Sequence, residues 1–164
     1  MPLVFRNVTT NPSDPVTAWP TEAVQAALER GDLEHWRRLA AEIRRHPWGR
    51  TARQVEEVLS HSRPYGVAEL MEGAISRARA RAEGEERRTV AAEIRQAIAS
   101  SGLSSAEFAA SIGTSASRLS TYATGKVVPS ATLMLRIRMR LAELAGTADA
   151  ATRPADGGGH PRES

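Results

Sequence analysis

Between Ser104 and Lys126 the chain reads SSAEFAASIGTSASRLSTYATGK, and the reading of this stretch decides the fold. Two short helical patterns flank a glycine-centred turn. Apolar or small residues fall at Phe108, Ala109, Ile112, Leu119 and Tyr122, where two crossing helices touch. Gly113 falls where the chain must bend sharply, a position that favours positive φ. Ser104 or Ser105 caps the first helix, and Glu107 sits in its first turn, where a carboxylate suits the helix dipole. Ser115 caps the second helix, which reaches about Ala123 before Gly125 stops it. This is the spacing of a helix-turn-helix, a unit that lays its second helix in the major groove of DNA.

The flanks extend the pattern. A helix from about Thr89 to Ser100 buries Val90, Ile94 and Ile98 and ends at Gly102, after which Leu103 enters the core. Beyond the second helix, Pro129 and Ser130 start another in which Leu133, Ile137, Leu141 and Leu144 face inward. Arg136, Arg138 and Arg140 alternate there with Leu135, Ile137 and Met139, which read as buried, leaving the arginines as a solvated face.

The ordered set Leu103-Ser104, Ala109, Gly113, Ser115, Leu119, Gly125-Lys126 and Pro129 closely resembles the Xre/Cro/CI family of phage and bacterial repressors. The resemblance covers about 55 residues, one third of the chain. Two positions depart from it: Thr114 stands where an aliphatic is usual, and Ala123 where many members have Glu. The resemblance implies a lambda-repressor-like helix-turn-helix domain that reads DNA from the outward face of its second helix. With Leu119 and Tyr122 inward, Ser117, Ser120, Thr121 and Thr124 point out and Arg118 projects at the flank. Ala116, Ser117 and Thr121 are then the leading base-edge candidates, with Arg118 as a guanine reader or phosphate contact, and Ser120 and Thr124 complete the base-reading set. Phosphate contacts fall to the backbone amides near Ser105 and Ala106, to Ser115 and to Lys126. Ser105 and Ser115 serve first as caps. The outward set lacks Asn and Gln, so bidentate adenine readout is absent, and backbone positioning and DNA shape carry more of the recognition.

Charge follows the same division. Residues 1–86 carry a net −1, residues 87–144 a net +5 and the remainder a net −1, within a chain total of +3. The positive excess sits where phosphate neutralisation needs it.

Upstream, a leader at residues 1–19 rich in Pro and Asn reads as irregular. Thr21 caps a first helix that buries Val24, Ala27 and Leu28 and stops at Gly31. Asp32 caps a second, running to about His46 with Leu33, Trp36, Leu39, Ala40 and Ile43 on one stripe. A third starts near Thr51 and buries Ala52, Val55, Val58 and Leu59. Trp19, Trp36 and Trp48 form the core of this part or sit against it. Val67, Leu70, Met71, Ala74, Ile75 and Ala78 form a further stripe, about half a turn around from Val90, Ile94, Ala97 and Ile98. A continuous helix would bury opposite faces in two modules; a break at Gly84 would let them reorient. Residues 83–86 are the boundary in either case.

The organisation expected is therefore all-α. An N-terminal helical module at 20–84 precedes a helix-turn-helix domain at 85–145, and a disordered Gly/Pro/Asp-rich tail occupies 146–164. The first module dimerises the chain or binds a protein partner. With no Cys, neither disulfides nor thiolate metal sites are available. The scattered His35, His46, His61 and His160 lack ligand spacing, and no nucleophile elbow, phosphate loop or HExxH motif occurs. Neither a signal-peptide order nor a membrane-spanning run is present. These features point away from an enzyme, a cofactor, a metal site or a membrane protein, and towards a cytoplasmic regulator, a repressor, acting on double-stranded DNA as a homodimer. The alternative is an antitoxin-like or adaptor protein whose residues 20–84 bind a protein.

Overall fold

The computed structural model describes residues 2–6 and 8–153. It is all-helical among these residues: α1 (Thr21–Arg30), α2 (Leu33–Arg45), α3 (Arg50–Leu59), α4 (Val67–Ser101), α5 (Ser105–Ser111), α6 (Ala116–Ala123) and α7 (Ala131–Thr152). The chain divides into two compact units, one ending at Glu85 and the other beginning at Glu86. That division falls inside the 83–86 segment, yet α4 passes through Gly84 as helix. The glycine lowers helix propensity by about 1 kcal/mol relative to Ala, which does not end a helix of 35 residues.

In the first unit α1, α2 and α3 pack around Val24, Leu28, Leu39, Ile43, Val55 and Val58, all at or near complete burial. Asp32 caps α2 as the sequence indicates; its carboxylate accepts from the amides of Glu34 and His35, and the His35 ring closes a capping box. Thr21 does not cap α1. Pro20 takes the cap position with extended backbone and no side-chain bond, and Thr21 is the first helical residue. The leader is part of the core rather than outside it. Phe5 and Val16 are buried, a 3-10 turn spans Val16–Ala18, and Trp19 is fully buried. Trp19 meets Phe5 edge-to-face at 5.1 Å, while the Arg38 guanidinium stacks over its indole at 5.0 Å. Arg38 also donates to the carbonyls of Pro12 and Asp14, and Gln54 donates to the carbonyl of Trp19 at 2.9 Å. These bonds satisfy buried or half-buried carbonyls of an irregular segment, which would otherwise lose hydration without full replacement. Trp36 is half-buried and Trp48 lies exposed, so only Trp19 is a core indole.

Around the second core, α4 supplies Ile94 and Ala97, α5 supplies Phe108 and Ala109, α6 supplies Leu119, and α7 supplies Leu133, Met134 and Ile137. Val90, Ile98, Leu103, Tyr122 and Leu141 pack against it half-buried. Leu135 and Met139 do not join it; each is 56% exposed. A helix turns about 100° per residue, so Leu135 and Met139, each two residues from the buried Ile137, fall on the opposite side of α7 from the core. Ser130 caps α7 by accepting from the amide of Leu133 at 3.1 Å. The helix then continues past Gly146 to Thr152, where a disordered tail was expected. Ala148, Ala150 and Ala151 are strong helix formers and outweigh the single glycine. Residues 154–164 lie outside the described set. Among the described residues no helix is long and apolar enough to cross a membrane.

Candidate nucleic-acid interface

The pair α5–α6 is built from its ends. Ser104, not Ser105, is the cap of α5: its hydroxyl accepts from the Glu107 amide at 3.3 Å, and the Glu107 carboxylate accepts from the Ser104 amide at 2.8 Å. Ser105 is the first helical residue. The Ser104 hydroxyl and then its amide hold the Glu107 carboxyl below the usual carboxylate range. A four-residue connection follows, in which Gly113 takes φ +77 and Ser115 caps α6 by accepting from the Arg118 amide at 3.2 Å. Phe108, Ala109, Ile112 and Leu119 are buried against one another, which fixes the angle between the two helices.

With Leu119 held in the core, α6 exposes Ala116, Ser117, Arg118 and Ser120, its C-cap Thr124 is exposed as well, and Thr121 lies half-buried beside them. No carboxylate and no large apolar side chain occupies this face. Two of its hydroxyls are committed as donors: Thr121 Oγ1 to the Arg118 carbonyl at 2.7 Å, and Thr124 Oγ1 to the Ser120 carbonyl at 3.0 Å. Each keeps lone pairs, so these threonines present acceptors outward, suited to the amino groups of adenine or cytosine. The hydroxyls of Ser117 and Ser120 have no partner among the described residues and remain free to donate or accept. The Arg118 guanidinium likewise makes no bond there, leaving its fork available.

Two residues beside this face, one of them bonded to it, have no role that the sequence alone assigns. Arg95, on α4, donates to the carbonyl of Ala123 at 2.6 Å and so holds the C-terminal end of α6. Arg87 lies near Gly125, whose left-handed φ of +74 turns the chain toward Lys126; a Cβ there would come within 3.9 Å of Arg87 Cγ. The lone hint of either in the sequence is its charge, because both lie on a helix 28 or more residues upstream. Two further cations of this unit are drawn into bridges. Arg138 forks onto Glu93 at 2.8 and 3.2 Å, which lowers the Glu93 carboxyl below its ordinary range. Arg140 meets Glu143 at 3.1 Å. Exposed cations beside the α5–α6 pair that meet no carboxylate among the described residues include Arg118, Lys126, Arg87 and Arg136.

The phosphate candidates divide by their surroundings. Ser115 and Lys126 are exposed with no carboxylate bonded to either. Ser105 and Ala106 are also exposed, but the Glu107 carboxylate occupies their helix end and opposes an anion there. Comparison with known proteins finds no matching family model, no matching curated protein and no matching solved structure.

Proposed function

We propose that this protein is a sequence-specific DNA-binding transcription regulator, a repressor of the Xre/Cro/CI type, which inserts α6 into the major groove. One observation carries the reading: a capped helix of eight residues whose whole outer face is small, hydroxyl-bearing or cationic. Short side chains let the helix backbone approach the base edges, and its length of about 12 Å suits a groove about as wide. Arg118 supplies a fork for guanine, Thr121 and Ser117 accept or donate at base edges, and Ala116 meets a thymine methyl. Ser120 and Thr124 complete the base-reading set. Ser115 and Lys126, joined by Arg87, hold the phosphates.

Half-site reading asks for two copies. The exposed Leu135 and Met139, one turn apart on α7, support self-association of this unit. A binding role rather than a catalytic one also accords with the titratable groups. The lowered carboxyls are held down by helix caps at Asp32 and Glu107, by arginine forks at Glu72 and Glu93 and by the Ser62 hydroxyl at Glu29, not by burial in a cleft. Such a regulator acts in the cytoplasm.

The test is a titration against the DNA upstream of its own coding sequence at several salt concentrations. Specific binding with a steep salt dependence is expected, and Arg118→Ala combined with Thr121→Ala should reduce it to the level of random DNA. A double variant that still discriminates would show that α6 is not the reading helix.

A further inference from the structure

The run Arg77, Arg79, Arg81 is a single basic stretch in the sequence, but the helix splits it. Arg79 turns to Glu56, with bonds of 2.6 and 3.0 Å, and to the carbonyl of Pro47. Arg77 and Arg81 are four residues apart and share the other face. With Arg37 and Arg44 they line a groove of about 430 Å³ between α4 and α2. Between these cations the lining is apolar, with Trp36, Ala40, Met71 and Ala74 along its walls. Leu33 and Leu70, expected in the core, instead stand at the groove, 51% and 44% exposed. No carboxylate lines it, and none of its four guanidinium groups joins an ion pair among the described residues.

Shape and charge choose the occupant. On each helix the lining spans three turns, Leu33 to Arg44 and Leu70 to Arg81, about 16 Å at 1.5 Å per residue. Arg81 donates to the carbonyl of Arg44 at 3.4 Å, so the two arginine ends coincide. A small ligand needs a pocket that buries most of its surface, and a trough with leucines half in water does not provide one. A second copy docked groove to groove about a two-fold axis would set arginines against arginines. An amphipathic helix matches both features: its apolar stripe covers the leucines and its flanking carboxylates meet the guanidinium groups.

We infer that the groove between α2 and α4 is a docking site for a helix of a protein partner, apolar along one face and flanked by Asp and Glu. This site goes beyond DNA binding and stands on different residues, so a failed DNA titration leaves it untouched. The probe is a synthetic helical peptide of about four turns with a Leu stripe flanked by Glu, added to the full-length protein without DNA. The readout is the Trp36 indole N–H resonance.

A saturable shift is expected. The same peptide with Lys in place of Glu should bind at least about tenfold more weakly. Arg77→Glu and Leu33→Glu should each weaken the Glu peptide by a similar factor; both side chains are exposed, so the thermal midpoint should hold. Equal binding of the two peptides, or no saturable shift, would overturn the proposal. So would a dimer of the free chain that Leu33→Glu dissociates, which would give the groove to a second copy. Saturable binding of dodecanoate without binding of the peptide would give it to a small amphipathic anion and overturn it equally.

Discussion

The outer face of α6 and the groove between α2 and α4 are both exposed and both edged with arginine, but one is furnished with hydroxyls and the other with leucines. On α6 the side chains between the cations are Ser117, Ser120, Thr121 and Thr124, all able to exchange water for another polar partner. In the groove they are Leu33, Leu70, Trp36 and Ala74, which gain only by losing water. Basic charge is common to the two surfaces and so does not identify a partner. The side chains set between the charges do: a wet, short-chained face suits the edge of a charged polymer, and a half-exposed apolar trough suits another apolar stripe. The comparison breaks if one ligand class occupies both surfaces.

The largest effect should come from taking away the core under one surface. Phe108 is fully buried beneath α5 and α6. Phe108→Ala should cost about 3–5 kcal/mol in urea unfolding and abolish specific DNA binding. The two cores share no residue, so the Trp36 response to the acidic peptide should survive. Retained specific binding in this variant would show that the recognition surface does not depend on how α5 and α6 pack. Next in size are the contacts themselves. Arg118→Ala should remove about 1–3 kcal/mol of discrimination against the wrong base. Lys126→Ala should weaken all sequences alike and reduce the salt slope by about one. Identical behaviour of these two variants in a salt titration would erase the assigned division between reader and phosphate contact.

How far each surface was legible depends on the range of the interactions that make it. The α5–α6 pair is local: caps, a positive-φ glycine and a stripe of Phe108, Ile112 and Leu119 lie within a few residues, and sequence spacing reports them directly. The groove is not local. Leu33 and Leu70 each sit correctly on an apolar stripe, and periodicity alone assigns both to a core. That they face a trough follows from where α2 and α4 stand relative to one another, which depends on packing across 37 or more residues. In the leader the sequence shows Trp19 as a core candidate but not Phe5 and Val16. These residues lack helical period, and the segment's burial depends on Arg38 and Gln54 satisfying distant carbonyls. The role of Arg95 at the end of α6 was hidden in the same way. At Leu135 and Met139 the error was one of period: alternation was taken for burial on a helix.

A smaller effect tests the turn between the helices. Gly113 has φ +77, and a Cβ there would meet only the Arg136 guanidinium at 3.4 Å. That side chain can move aside, so the cost of Gly113→Ala lies in the backbone, about 1–2 kcal/mol. The thermal midpoint should fall and DNA affinity with it, while the groove is unaffected. No loss of stability would mean that the turn can adopt an ordinary negative φ without disturbing α6.

The smallest effect decides what the N-terminal end of α5 does. Glu107 and Glu93 both have carboxyls held below the ordinary glutamate value of about 4.3. A lowered folded-state value means that the stabilisation is full above the unfolded value and is lost as pH falls through the folded one. Thermal stability should thus hold from neutral pH to about 5 and decline below about 4.3. Gln serves in a capping box as Glu does, so Glu107→Gln should keep α5 and reduce the acid-dependent decline, leaving the part due to the other lowered carboxyls, Glu93, Asp32, Glu29 and Glu72. The same substitution removes a negative charge beside Ser105 and Ala106. If a DNA phosphate lies there, affinity should rise roughly twofold at low salt, the size of one charge some 8 Å away in water, and the gain should fade as salt is added. Unchanged affinity at every salt concentration would take Ser105 and Ala106 out of the DNA contact and leave the phosphates to Ser115, Lys126 and Arg87.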